Sequence, residues 1–306
     1  MKIVFMGSST FAIPSLRILK QAEYDVKAVY SQPPRKAGRG KSYKEVPLAE
    51  FAFSEGLKVE QPQTFKDPDI IAKLKRYDPD FLVVVAYGLI LPREVLEIPK
   101  EFSINVHGSF LPYWRGAAPI NQVIFNRDSF TGVSIIKMVE ELDAGPILNQ
   151  EKVILDHTET FGSLHQVLSE LGAKNLLRVL DNINSNKEIL QKNSLVSYAP
   201  KINKLDAKLD FNQQASALEA RVRGLAPVPG AWFEYKGERF KVFKAEVVDG
   251  RGNAGLIINE DLTIACGEKA LNILEIQRQG KDIMSVSDLI RGFKFKKGDN
   301  VNQSTR

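Results

Sequence analysis

An amide and an imidazole stand two residues apart in the stretch INVHGSFLPYWRG at residues 104–116. The chain has three histidines in all, and this one ends an apolar run. If the run is a β-strand, Asn105 and His107 point to the same face. Two hydrogen-bond donors aimed at one point would suit the oxyanion that develops when a carbonyl is attacked. The alternative for His107, taken alone, is a histidine satisfied within the core.

A carboxylate follows later, where Asp143 begins an Asp-Ala-Gly-Pro turn. A carboxylate close to an imidazole favours the charged imidazolium, which would strengthen the donor. The chain lacks the Gly-x-Ser-x-Gly elbow of Ser-His-Asp hydrolases. His157 and His165 are eight residues apart without carboxylates at ligand spacing. These residues predict direct acyl-type transfer, without a metal and without a covalent enzyme intermediate.

The first half of the chain alternates short apolar runs with helical stretches such as Ile13–Gln21 and Pro47–Glu55. The central runs are rich in β-branched residues, as in strands buried on both faces of a parallel sheet. This rhythm predicts an α/β fold with a Rossmann-like, doubly wound, mostly parallel sheet. The predicted strands are Lys2–Met6, Val26–Gln32, Phe81–Tyr87, Ser103–His107 and Gly132–Val139.

Sites in such sheets form beyond the carboxyl ends of the strands. His107 and Tyr87 lie at two such predicted ends, and Asp143 follows closely after a third. The sequence therefore predicts that all three lie near the same edge of the sheet.

The pattern changes after a predicted amphipathic helix at Thr160–Asn182. A polar stretch follows, then a helix candidate at Gln214–Gly224 and several short alternating strands with turns between them. The short strands predict a small OB-like β-barrel. We predict a larger α/β domain at residues 1–186, a linker at 187–205 and the barrel domain at 206–306.

Two glycine-containing segments could contact anions. GSST at residues 7–10 could cradle an anion on free backbone N–H groups or could be a tight strand-to-helix turn. QPPRKAGRGKSYK at residues 32–44 holds five basic residues and no acid, which fits either phosphate binding or a solvated surface. Its basic residues are Arg35, Lys36, Arg39, Lys41 and Lys44.

Composition is that of an ordinary globular chain, with 306 residues, 43% hydrophobic and 26% charged. No apolar run is long enough to span a membrane, and the start lacks a signal-peptide cleavage pattern. The single cysteine, Cys266, excludes an intramolecular disulfide and favours a reducing, cytoplasm-like compartment. The net charge of +5 permits a polyanionic partner without proving one.

Several motifs resemble those of the formyltransferases that use 10-formyltetrahydrofolate. They are Asn105-Val-His107, the SFLP turn, WRGAAPIN and ELDAG. Further stretches resemble the methionyl-tRNA formyltransferases within that group, and together they run from residue 1 to about residue 300. These are MKIVFMGSSTFAIPSL, QPPRKAGRGK, VVVAYGLILP, RGLAPVPGAWF and SVSDLIRGFKFKKGD.

The resemblance implies a role for each matching segment. It makes Asn105, His107 and Asp143 the catalytic residues, within a folate-binding N-terminal domain. The OB-like domain would help to hold tRNA. The folate-contacting positions would be Ser109, Phe110, Leu111, Pro112, Tyr87, Gly88, Leu89, Ile90, Leu91, Val139, Glu141 and Leu142. The tRNA-contacting positions would be Arg35, Lys36, Arg39 and Lys41, with a second basic cluster of Arg291, Lys294, Lys296 and Lys297.

The resemblance implies transfer of a formyl group from 10-formyltetrahydrofolate to the α-amine of methionyl initiator tRNA, for translation initiation. We expect a monomer without a metal, in a bacterial cytoplasm. Two positions depart from the family pattern. Phe110 replaces a leucine in the turn, and the first loop, Gly7 to Phe11, lacks the usual proline and acid.

Other functions remain open from the residues alone. The same chemistry could act on a small amine such as a ribonucleotide or amino sugar, or water could release formate from the folate. The chain could also be a nucleic-acid-binding module with a degenerate α/β domain, which the intact Asn-His-Asp set disfavours. A nicotinamide dehydrogenase would need the glycine fingerprint that is absent.

Overall fold

The computed structural model describes residues 1–37, 42–185 and 187–302. Its strands are β1 (Lys2–Gly7), β2 (Asp25–Tyr30), β3 (Arg35–Ala37), β4 (Ser42–Lys44), β5 (Val59–Glu60), β6 (Phe81–Val85), β7 (Phe102–His107), β8 (Arg115–Gly116), β9 (Phe130–Lys137), β10 (Ile147–Ile154), β11 (Tyr198–Ala199), β12 (Ala231–Tyr235), β13 (Glu238–Val248), β14 (Thr263–Ala265), β15 (Ala270–Arg278) and β16 (Met284–Ser285). Its α-helices are α1 (Ile13–Gln21), α2 (Pro47–Ser54), α3 (Pro68–Lys75), α4 (Arg93–Leu96), α5 (Pro119–Phe125), α6 (Phe161–Asp181), α7 (Ala215–Leu225) and α8 (Val286–Leu289).

The chain folds into two compact units. The first unit comprises Met1–Pro119, Thr131–Val153 and His165–Ala199. The second unit comprises Ile120–Phe130, Ile154–Leu164 and Pro200–Arg306. Among the helices of the described residues, none is both long and apolar enough to cross a membrane.

A central sheet with the strand order β10-β9-β7-β6-β1-β2-β5 organises the first unit. The run from β7 through β6 and β1 to β2 and β5 is parallel. β6 is buried along its whole length, as its continuous FLVVV sequence predicts. The predicted mostly parallel α/β sheet is therefore confirmed.

One strand breaks the parallel pattern. β9 runs antiparallel to β7, with Lys137 opposite Ile104 and Ser134 opposite His107. The carboxyl end of β9 therefore lies at the amino-terminal side of β7. The prediction that Asp143 follows a strand ending at the same edge as His107 was wrong, and the loop after β9 must fold back to approach it.

The first loop packs tightly against the ends of β6 and α2. A Cβ on Gly7 would lie 2.7 Å from the Val85 carbonyl oxygen and 2.8 Å from the side chains of Ala12 and Leu48. The Ser8 hydroxyl donates to the Tyr87 carbonyl at 2.8 Å and accepts from the Gln32 N–H at 3.1 Å. These contacts support the interpretation of GSST as a close-packed turn.

The second unit builds its core on the antiparallel strands expected for the C-terminal part. β13 and β15 pair over most of their lengths, β12 and β14 flank them, and β16 pairs with β15. Leu218, Val222 and Leu225 of α7 belong to the same buried cluster as the strands. Cys266 is buried there, and burial raises the pKa of its thiol to about 11.

We expect Gly7→Ala to lower the free energy of unfolding by about 1–3 kcal/mol, because the added methyl group would meet a backbone carbonyl that cannot rotate away. Chemical denaturation in urea measures the change. Gly292→Ala is the matched control, since a Cβ added there would lie more than 4 Å from every atom outside its own chain neighbours. Equal stability of the two variants would contradict the close-packing interpretation.

Candidate active site

β7 places Asn105 and His107 on one face of the central sheet. Val106, between them, points the other way, since a Cβ on Gly172 of α6 would lie 2.7 Å from its Cγ1. His107 is 6% exposed, which is low for a residue that could contact a substrate. The face opposite α6 is therefore where the two polar side chains meet other groups.

The Asp143 carboxylate joins these two side chains. Its Oδ1 accepts from the Asn105 Nδ2 at 3.1 Å, and its Oδ2 lies 3.6 Å from the His107 Nδ1. Oδ2 also accepts from the Gly116 N–H at 2.9 Å. At 3.6 Å the histidine contact is an ion pair if the ring is charged, rather than a hydrogen bond. The three residues that the sequence grouped as catalytic thus lie together.

The second ring nitrogen of His107 meets a carbonyl that the sequence did not indicate. Nε2 lies 3.0 Å from the Trp114 carbonyl oxygen, so this nitrogen carries the hydrogen in that contact. Trp114 and Asp143 both have left-handed backbones, with φ of 61° and 52°. Such conformations cost non-glycine residues about 1–3 kcal/mol each and are concentrated at functional sites. The two residues that contact the imidazole, Trp114 and Asp143, thus both have this unfavourable backbone conformation.

The loop at residues 138–146 returns Asp143 to the face of β7. A Cβ on Gly145 would lie 1.8 Å from the Lys137 carbonyl oxygen, so glycine is required for this close approach. Gln191 donates from Nε2 to the carbonyls of Asp143 and Gly145, both at 2.8 Å. Sequence reasoning missed Gln191 because it lies in the polar stretch predicted to be a linker.

The turn after β7 is fixed by side chains from β9 and β10. The Ser134 hydroxyl donates to the Ser109 carbonyl at 2.7 Å and accepts from the Leu111 N–H at 3.0 Å. The Gln150 Nε2 donates to the Leu111 carbonyl at 2.7 Å, and the Ser109 hydroxyl donates to the Tyr113 carbonyl at 2.6 Å. The predicted folate-contacting turn, Ser109 to Pro112, is thus held by internal hydrogen bonds.

The predicted apolar walls divide into buried and exposed residues. Tyr87 and Leu91 lie in a buried cluster, and burial raises the pKa of the Tyr87 hydroxyl, which keeps it neutral. Ile90 and Leu142 are 93% and 65% exposed, and Val139 is also exposed. Exposed side chains of this size are available to contact an apolar ligand.

Two more predicted wall residues, Gly88 and Glu141, are exposed, whereas Leu89 is half-buried. The Glu141 carboxylate lies 3.2 Å from the guanidinium of Arg115, whose own side chain is buried. Among the described residues, no group of three or more histidine, cysteine or acidic side chains has the arrangement of a metal site.

The site consists of an imidazole and an amide that both contact one carboxylate. The carboxylate can fix the orientation of both donors and support positive charge on the imidazole. Such a pair can stabilise negative charge that develops on an oxygen placed against it.

The chain is similar in sequence to known proteins that are named as formyl transferases. A family model described as formyl transferase matches residues 1–180, and one described as the formyl transferase C-terminal domain matches residues 201–294. The chain belongs to the formyl transferase family. The methionyl-tRNA formyltransferase of Novosphingobium aromaticivorans is 43% identical over 292 residues, which cover 95% of this chain and 97% of that protein. That of Ruegeria pomeroyi is 40% identical over 301 residues, covering 98% and 100%.

Solved structures of other proteins share the fold. Methionyl-tRNA formyltransferase from Clostridium thermocellum superposes with a TM-score of 0.60 at 15% identity, over 93% of this chain and 99% of that one. HypX from Aquifex aeolicus, in complex with tetrahydrofolic acid, gives 0.64 at 18% identity over 95% of this chain. The match covers 47% of HypX, so this family member corresponds to about half of that chain. At such identities the likeness concerns the fold alone.

The basic residues predicted from the sequence lie in both units. Arg35 and Lys36 are exposed on β3, which pairs with β4, and the Arg35 guanidinium donates to the Gln32 side chain. Arg39 and Lys41 lie outside the described residues. The second cluster, Arg291, Lys294, Lys296 and Lys297, is exposed throughout.

In this formyl transferase we expect Gly145→Ala to reduce the turnover number roughly a hundredfold, because a loop displaced by about 1 Å misplaces the Asp143 carboxylate. Steady-state formyl-transfer kinetics at saturating substrates measure the loss. A crystal structure of the variant should show a longer distance between Asp143 and His107. Gly292→Ala adds the same methyl group in open space and should retain activity. Wild-type turnover in Gly145→Ala would contradict the role of the loop.

Proposed function

We propose that this chain transfers the formyl group of 10-formyltetrahydrofolate to the α-amine of methionine esterified to initiator tRNA, for translation initiation. The contact of Asp143 with both Asn105 and His107 is the observation that carries the chemistry. The names of relatives that are 40–43% identical over nearly the whole chain support the acceptor. Tetrahydrofolic acid bound to HypX, a protein of the same fold, supports the donor.

The neutral amine attacks the formyl carbon, and a tetrahedral oxyanion forms. Collapse of this intermediate breaks the bond between carbon and N10, and the proton lost by the amine is transferred to N10. Free α-amines titrate near roughly 8, so a useful neutral fraction exists at pH 7. His107 and Asn105 stabilise the oxyanion, while Asp143 holds both donors in place.

The structure adds one requirement to this mechanism. The Nε2 of His107 lies against the Trp114 carbonyl oxygen at 3.0 Å. If that hydrogen is to reach the oxyanion, the oxyanion must replace the Trp114 carbonyl as its acceptor. A charged oxygen is the stronger acceptor, so the exchange becomes favourable as the oxyanion develops rather than before. We propose that this ordering favours the transition state over the ground state.

We propose that the folate lies along the turn Ser109–Pro112 and against exposed apolar side chains beside it. The internal hydrogen bonds of the turn support a preformed surface, with Phe110 changing one wall. Ile90, Val139 and Leu142 supply apolar contact area. Glu141, between Val139 and Leu142 in the chain, is also exposed, and its carboxylate contacts Arg115. Tyr87 and Leu91 would support the wall from beneath, since both are buried.

For the nucleic acid, we propose that the two basic clusters contact phosphates. Phe293 and Phe295 pack on Tyr235 and Phe240 of the second unit, with ring centroids 5.0–6.2 Å from one another or these partners. Lys294 lies between these two phenylalanines and Lys296 follows the second, so the packing leaves both lysines facing outward.

We also propose a monomer in a bacterial cytoplasm, with residues 1–186 as the folate-binding domain, 187–205 as the linker and 206–306 as the tRNA-binding domain.

Removing the imidazole tests the chemistry. We expect His107→Ala to lose formyl transfer by about a hundredfold or more, since one oxyanion donor is typically worth about 3–4 kcal/mol. The assay follows formyl transfer from 10-formyltetrahydrofolate to Met-tRNA, with free methionine and elongator Met-tRNA as controls. His157→Ala should keep the wild-type rate. A near-normal rate in His107→Ala with the fold intact would remove this residue from the mechanism.

Removing charges tests the tRNA surface. We expect Lys294→Ala/Lys297→Ala to weaken tRNA binding and to reduce the slope of log Kd against log salt by about 1–2, because each phosphate contact contributes about 0.9. Tetrahydrofolate affinity should not change. Lys66→Ala/Lys174→Ala removes the same charge from two other exposed positions. Identical slopes in the two double variants would contradict the proposed cluster.

A further inference from the structure

A segment of the first unit borders both sides of the candidate active site. We call residues 188–199 the strap. Near its start, Ile189 exchanges two backbone hydrogen bonds with Ile147, at 2.8 and 2.9 Å, beside the loop that carries Asp143. Farther along, the Ser197 hydroxyl accepts from the Trp114 N–H at 2.9 Å, and β11 pairs with β8. The strap thus contacts the backbone on both sides of His107. On one side it lies beside the loop that carries Asp143, and on the other it binds the N–H of Trp114.

Gln191 is the strap residue whose side chain reaches the catalytic loop. Its Nε2 donates to the carbonyl oxygens of Asp143 and Gly145, both at 2.8 Å. Its Oε1 accepts from the Arg115 Nε at 3.0 Å. Both the nitrogen and the oxygen of the Gln191 amide are therefore hydrogen-bonded. The nitrogen donates twice to the loop that carries Asp143, and the oxygen accepts once from Arg115.

These contacts are made where water is scarce. The Arg115 side chain is 3% exposed and the Asp143 side chain is 9% exposed. A buried group that loses its partner bears the full cost of desolvation, so these hydrogen bonds constrain the backbone more than exposed ones would. The Asp143 backbone also needs support because its φ of 52° is left-handed.

We propose that Gln191 is a positioning residue that holds the backbone of Asp143 so that its carboxylate contacts Asn105, His107 and Gly116 together. The inference rests on the proposed function for its kinetic consequence. Gln191 does not touch the reacting atoms. It acts through Asp143, and it links the order of the strap to the chemical step.

Two substitutions separate this role from anchoring of Arg115. Gln191→Ala removes all three hydrogen bonds. Gln191→Glu keeps an acceptor for Arg115 but replaces the amide donor with oxygen, which faces two carbonyl oxygens. We expect both variants to lose about ten- to a hundredfold in turnover number, with the KM for tRNA within about twofold of wild type. Wild-type turnover in Gln191→Glu would overturn the proposal, because it would leave Arg115 as the only relevant contact.

A double-mutant cycle provides a readout that general destabilisation would not move. If Gln191 acts through Asp143, Gln191→Ala should reduce turnover little when added to Asp143→Ala. Full multiplication of the two losses would overturn the proposal. Glu188→Gln is the matched control, since Glu188 lies in the strap and its carboxylate contacts Lys137 at 3.1 Å. It should retain wild-type turnover and the wild-type Tm. Gln191→Ala and Gln191→Glu should have a lower Tm, because buried partners lose their hydrogen bonds, and circular dichroism should show both variants fully folded at the assay temperature.

A structural readout keeps this test independent of the acceptor. A crystal structure of Gln191→Ala should show Asp143 displaced from the Gly116 N–H and from His107. An unmoved Asp143 would overturn the inference whatever the assay shows. If the wild-type enzyme fails to formylate Met-tRNA while Asp143 is displaced in the variant, the proposed function fails and the role of Gln191 stands.

Discussion

The nearly buried carboxylate of Asp143 is the group on which the site depends. A charge with 9% exposure is costly unless polar partners replace the water that it loses. Here an amide, a backbone N–H and an imidazole surround it, from Asn105, Gly116 and His107. These partners come from β7 and from β8, so satisfying one carboxylate brings separate segments of the first unit together.

Several local features follow from that requirement. The loop that carries Asp143 follows β9, which is antiparallel to β7, and it must fold back over β7. On the way it passes so close to the Lys137 carbonyl oxygen that only a glycine fits at position 145. On the other side, a Cβ on Gly116 would lie 2.7 Å from the Ala199 carbonyl, which explains a glycine beside the strap. The left-handed backbones of Trp114 and Asp143 are tolerated because surrounding hydrogen bonds determine them.

The sequence allowed the central sheet and the shared face of Asn105 and His107 to be predicted, because both depend on short-range periodicity. The helix predicted at Thr160–Asn182 corresponds to α6 for the same reason. The prediction extended one strand to Tyr87, whereas β6 ends at Val85, since the left-handed Ala86 (φ 46°) has no signature in its residue type. Similarly, the direction of β9 is not encoded in its apolar pattern.

The contacts that complete the site could not be predicted from the sequence, for a different reason. Any residue can supply the carbonyl that Trp114 presents to His107, so its residue type carries no signal. Gln191 belongs to a polar stretch whose composition also fits a solvated linker, and only the fold shows that its amide is engaged at both ends. Long-range hydrogen bonds to backbone groups leave little trace in local pattern.

Burial also separates the two tasks that we propose for the chain. The Asn-His-Asp contacts are shielded from water, so added salt screens them weakly. The second basic cluster, Arg291, Lys294, Lys296 and Lys297, is exposed, and the neighbouring phenylalanines anchor it by apolar packing, which does not depend on ionic strength. Salt can therefore weaken attraction of a polyanion while the position of the lysines and the geometry of the chemical step stay unchanged.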